Sequence, residues 1–118
     1  MSKVIKTAEF ETKELYKTHY YKASYDEVKN VYLALLKELN YNIISIDDNY
    51  LEIYAEKPNM SIISKIIMQT PKETSIDLEI ISDALFGGVS KANKFISYVY
   101  KKLEEKYELK GLSLHQVK

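Results

Sequence analysis

Thr74-Ser-Ile-Asp-Leu-Glu-Ile-Ile-Ser82 alternates polar and apolar side chains. It gives way to Asp83-Ala-Leu-Phe-Gly-Gly88 and then to a long amphipathic segment from Ser90 to Tyr107. The period-two alternation predicts a half-buried strand with Ile76, Leu78 and Ile80 inward and Ser75, Asp77 and Glu79 outward. The double glycine predicts a sharp strand-to-helix turn. Beyond it, Val89, Ala92, Ile96, Val99, Leu103 and Tyr107 share one helical stripe. A helix with one apolar stripe, next to a strand with one apolar face, is built to lie across a sheet.

Upstream, Ala8 to Lys22 reads as one long extended stretch with a bend near Thr12. Phe10, Tyr16, Thr18 and Tyr20 lie on one face, and Glu9, Glu11, Lys13, Lys17 and His19 on the other. Ser24-Tyr-Asp-Glu27 is a capping box that starts a helix running to Leu39. Val28, Val31, Tyr32, Leu35, Leu36 and Leu39 form its buried stripe, and Asn40 suits a left-handed C-cap. Tyr41 to Ile46, the turn Asp47-Asp-Asn49, and Tyr50 to Glu56 read as a hairpin with Leu51, Ile53 and Ala55 on one face. Met60 to Gln69 fits either a helix, through Ile62, Ile63, Ile66 and Ile67, or a strand. Its β-branching and flanking turns favour the strand. The whole is an α+β fold: a two-layer sandwich of β-α-β4-α order, whose antiparallel sheet carries a long C-terminal helix across it.

At 118 residues the chain is sized for one domain, residues 1–118, with 1–7 and 111–118 read as flexible ends. Hydrophobic residues at 46% and charged residues at 29% suit a globular chain rather than a disordered one. The absence of cysteine excludes disulfides, thiolate catalysis and cysteine-bound zinc. All 17 basic residues are lysine, balanced by 17 acidic ones. A neutral chain without arginine, with Glu11, Glu52, Glu56, Asp77 and Glu79 facing outward, is a poor phosphate binder, which argues against nucleic acid as a partner. The apolar runs are too short for stable membrane insertion and the first residues form no signal peptide, so the expected compartment is the cytoplasm. The Lys, Glu and Ile enrichment suits a thermophile or an AT-rich genome.

Reactive constellations are scarce. His19 and His115 are the only histidines, and His19 is expected to be an exposed strand residue. A metal would need Glu14 or Asp83 to converge on one of them, so no metal or other cofactor is expected. Asp47-Asp48 lacks EF-hand spacing and reads as a turn. Gly87-Gly88 lacks the phosphate-loop pattern and reads as a turn too. No nucleophile motif occurs, so catalysis has no candidate residues. The 11 tyrosines suit core edges, a pocket wall or a protein interface.

The element order, together with the Phe86-Gly-Gly88 break before the last helix, resembles the TATA-binding-protein-like fold. More closely, it resembles a compact helix-grip domain of the START and birch-pollen-allergen superfamily, over residues from Phe10 to Tyr107. Locally, Ile76-Asp-Leu-Glu-Ile80, Ser82-Asp83, Phe86-Gly87 and Ser90-Lys-Ala-Asn93 resemble the tail of small bacterial domains of uncharacterised function. The lysine- and isoleucine-rich style is similar to a thermoacidophile family of fatty-acid carriers. The chain lacks the extra elements that full helix-grip domains insert after the first helix, so its sheet encloses less volume.

The resemblance implies non-enzymatic binding or carriage of a hydrophobic small molecule or lipid, most plausibly a long-chain fatty acid, between sheet and C-terminal helix. Ligand-binding walls would come from Tyr54, Ile66, Met68, Leu78, Ile80, Phe95, Ile96, Val99 and Leu103, with a tyrosine hydroxyl or a lysine such as Lys65 at the head group. The alternative is a structural or protein-interaction module acting as a homodimer through Ile63, Ile67, Ile81 and Leu85.

Overall fold

A computed structural model describes residues 2–115. The fold is α+β: an open antiparallel sheet of seven strands with two helices. The elements are β1 (Lys3–Lys6), a 3-10 turn (Glu14–Tyr16), β2 (His19–Tyr21), α1 (Tyr25–Glu38), β3 (Asn42–Asp47), β4 (Glu52–Lys57), β5 (Met60–Thr70), β6 (Glu73–Ser82), α2 (Gly88–Lys106) and β7 (Leu109–Leu112). The sheet runs β3-β4-β5-β6-β2-β7, and β1 also pairs with β6.

The single N-terminal strand expected over residues 8–22 is instead two short strands laid end to end along β6. Lys3 to Lys6 face Ser82 to Glu79, and His19 to Tyr21 face Ile76 to Thr74. Between them the chain leaves the sheet, turns through the 3-10 segment, and returns across an Ala8–Lys17 bridge. The cause is local. Residues 9–15 carry four charged side chains, Glu9, Glu11, Lys13 and Glu14, with too little apolar alternation to hold a ladder. Phe10, expected to share a strand face with Tyr16, Thr18 and Tyr20, is exposed on this excursion.

Both ends read as flexible are structured by strand pairing within the described residues. β1 occupies residues 3–6, and β7 pairs with β2 through His19–Leu112. The last residues of the expected tail, 116–118, lie outside the described residues.

The capping box forms as expected: the Glu27 amide donates to Ser24 Oγ at 3.2 Å and the Ser24 amide to Glu27 Oε1 at 3.0 Å. Asn40 ends α1 in the left-handed region at φ 65°. Met60 to Thr70 is a strand, in register with β6 as Ile62–Ile80, Ser64–Leu78 and Ile66–Ile76. Asp47 Oδ1 accepts from the amides of Asn49 and Tyr50 and tightens the β3–β4 turn. Leu51, expected on the strand, belongs to that turn at φ 58°.

Two helical side chains identify the covered face. Tyr32 of α1 hydrogen-bonds Ser64, and Tyr100 of α2 stacks on His19. Ser64 pairs with Leu78 and His19 with Ile76, so both helices meet the face of Ile62, Ile66, Ile76, Leu78 and Ile80. Each of these fully buried side chains contributes roughly 1.5–3 kcal/mol.

The Gly87-Gly88 turn is sterically required. Gly87 sits at φ 74°, and a Cβ on Gly88 would lie 2.6 Å from Ser82 Oγ. The helix therefore starts at Gly88, two residues ahead of Ser90, directly against the end of β6.

Candidate functional site

Seven of the nine residues expected to wall a ligand converge in the core, and Tyr54 and Met68 do not. Ile66, Leu78, Ile80, Ile96, Val99 and Leu103 are packed against one another in the closed core. Tyr54 is not among them: it lies on the opposite face of β4, where its hydroxyl reaches Glu56 at 3.5 Å and Ser61 at 3.4 Å. Met68 lies near the far end of β5 and is 57% exposed. Both corrections have one cause. Alternation tells which residues share a strand face, but not which face is covered or how far along it the helices reach. Lys65, the suggested head-group residue, is also on the uncovered face, 3.8 Å from Glu52.

Phe95 also lines an open cleft at one end of α2. That cleft, of about 340 Å³, is enclosed by Leu39, Tyr41, Lys57, Met60, Lys91, Lys94, Phe95 and Tyr98. It lies where the end of α1, the β4–β5 turn and the first turns of α2 meet. Its floor is apolar. The rings of Tyr41 and Phe95 meet edge to face at 5.4 Å, and Tyr41 Oη sits 3.9 Å from Met60 Sδ. Burial raises the Tyr41 pKa, so the phenol stays neutral.

Lysines form the rim. Lys57 Nζ donates to the Leu39 carbonyl at 3.1 Å, capping the negative end of α1, and lies 4.5 Å above the Tyr41 ring. Lys91 and Lys94 are exposed on α2. None of the three makes an ion pair among the described residues. Tyr98 closes one side, its hydroxyl donating to Glu38 and tying α2 to α1; that bond raises its pKa.

The cleft was only faintly legible beforehand. Lys91, Lys94 and Tyr98 follow a helical i, i+3, i+7 spacing beside Phe95, but Leu39, Tyr41, Lys57 and Met60 come from three other elements.

His19 is buried at 7% exposure rather than exposed, and its ring stacks on Tyr100 with centroids 3.4 Å apart. Its Nδ1 lies 2.8 Å from the Lys17 carbonyl, which requires that nitrogen to carry the proton. Burial lowers its pKa to about 4, so the ring is neutral at pH 7. Tyr100 Oη is buried without a hydrogen-bond partner among the described residues.

On the uncovered face, Asp77 accepts from Thr7 Oγ1 at 2.6 Å and Thr18 Oγ1 at 2.8 Å, while the Tyr20 hydroxyl donates to Glu9. This cluster stitches the split strand to β6. Among the described residues no three His, Asp or Glu side chains are grouped to hold a metal ion. No described helix is long and apolar enough to cross a membrane.

Comparison with protein-family models, curated proteins and solved structures gives no match.

Proposed function

We propose that this chain is a non-enzymatic binder of a small anionic amphiphile, of the fatty-acid class, held at the mouth between α2 and the β4–β5 turn. α2 acts as the grip over the sheet, and the protein works in the cytoplasm. The observation that carries this reading is the pairing of an apolar floor, Tyr41, Met60 and Phe95, with a rim of lysines that have no carboxylate partner among the described residues. An acyl chain gains by covering the floor, and its carboxylate gains a charge-assisted bond from an ammonium. At about 340 Å³ the cleft is near the lower end of ligand pockets, roughly 300–1,000 Å³. The packed core beneath α2 offers no continuation, so a short or medium chain fits better than a long one.

The test is titration with a fluorescent fatty acid, displaced by unlabelled acids of increasing length and by the matching alcohols. Saturable binding is expected, with acids preferred over alcohols. The K91E/K94E variant should lose about tenfold for acids, roughly one charged hydrogen bond, and little for alcohols. Absence of saturable binding, or an unchanged acid preference in that variant, would defeat the reading.

A homodimer has one observation in its favour: Val4 and Ile81 are cross-strand neighbours on the uncovered face, and Val4 is exposed. Light scattering at high protein concentration tests it, and a monomeric mass counts against it.

A further inference from the structure

We propose that the Leu85–Phe86 loop docks the protein reversibly onto an anionic lipid surface, beside the cleft mouth. Leu85 and Phe86 are 89% and 87% exposed, consecutive, and at the tip of the turn between β6 and α2. Their position is fixed by the surrounding backbone. The Asp83 amide donates to the Asn59 carbonyl at 2.9 Å, the Ala84 amide to Ser82 Oγ at 3.3 Å, and Gly88 packs against Ser82. The loop is therefore held beside the β4–β5 turn, which supplies Lys57 and Met60 to the cleft.

Charge decides the occupant. Lys3, Lys57, Lys91 and Lys94 lie at this end of the sheet, and none is in an ion pair among the described residues. The carboxylates nearby are Glu38, Glu56 and Asp83, which accept hydroxyls from Tyr98, Tyr54 and Ser2 and keep their charge, so four lysines face three carboxylates. An apolar tip at an end of the sheet where ammonium groups outnumber carboxylates matches an anionic bilayer interface, where acyl chains take the tip and head groups take Lys3, Lys91 and Lys94. The further idea that docking delivers ligand rests on the cleft binding an amphiphile; the docking itself does not.

Co-sedimentation with phosphatidylcholine vesicles, with and without phosphatidylglycerol, tests the proposal. Binding is expected only with the anionic lipid and should weaken as salt rises. The L85S/F86S variant should lose about tenfold or more in partitioning, since two apolar side chains no longer enter the interface. Both residues lie outside the cleft lining, so its fatty-acid titration and its melting temperature should match the wild type. Equal sedimentation of wild type and variant, or none by either, overturns the docking. So does a wild-type dimer that the variant converts to a monomer, since the tip would then be a self-contact. Docking without fatty-acid binding upholds this proposal while removing the cleft reading; fatty-acid binding without docking does the reverse.

Discussion

His19 and Asp77 sit almost back to back on the sheet: His19 pairs with Ile76 and faces α2, while Asp77 follows Ile76 and faces the uncovered side. Burial dominates both titrations. It lowers the His19 pKa to about 4, against the backbone bond to Lys17. It raises the Asp77 pKa to about 6, against the Thr7 and Thr18 bonds, with Glu9 adding to the rise and Lys65 opposing it. The same desolvation disfavours a cation on one face and an anion on the other.

The linkage to stability therefore has opposite signs. Between pH 4 and 6.5 the unfolded chain binds a proton at His19 that the folded chain refuses, so His19's contribution is lost as pH falls through this window. Between pH 3.8 and 6 the folded chain holds a proton on Asp77 that the unfolded chain releases, so Asp77's contribution is lost as pH rises through it. Where the windows overlap, the two slopes, each about 1.4 kcal/mol per pH unit, nearly cancel.

The largest expected effect contrasts packing on the two faces. Ile80→Ala, on the covered face, should cost about 3–4 kcal/mol, and Ile81→Ala, half-buried on the other, about 1 kcal/mol or less. Urea unfolding measures both. Equal costs would mean that the second face is covered too, as a dimer would cover it.

Next comes the titrating pair. Asp77→Asn keeps an acceptor for the threonines but no charge. It should raise stability at pH 7 by on the order of 2–3 kcal/mol and leave a profile that climbs from pH 4 to 6. His19→Phe keeps a ring against Tyr100 and should give a profile that falls over the same range. Unfolding midpoints at several pH values read the slopes, whatever packing cost either variant carries. If both variants keep the wild-type slope, the compensation does not exist.

The smallest effect is expected at the exposed Lys65–Glu52 pair, 3.8 Å apart. Glu52→Gln should change stability by about 0.5 kcal/mol or less. A larger loss in thermal melting would show that the uncovered face holds an organised charge network.

Local chemistry was legible wherever neighbours in sequence are neighbours in space. The Ser24–Glu27 capping box, the Asn40 cap, the Asp47 turn and the Gly87-Gly88 break all satisfy backbone groups within a few residues. The alternation of Ile76, Leu78 and Ile80 likewise survives folding unchanged. Three other features were not legible. His19 is buried because α2, some eighty residues later in sequence, lays Tyr100 over it. The two halves of the split N-terminal strand lie end to end because Thr7 and Thr18 both bond Asp77 once β6 is in place. The cleft draws on four separate elements, so no sequence window contains it.

By itself, then, the sequence determined an α+β chain, the inward set of β6, the start of α1 and the turn that launches α2. These depend on backbone geometry and on periodicities of a single element. Only the tertiary structure decided that Tyr54 lies on the uncovered face and Met68 at an exposed end of β5, that the space under α2 is filled, and that lysines from β4 and α2 rim one apolar cleft. Those outcomes depend on which of two equivalent strand faces the helices cover and how far they extend, and that is set by long-range packing.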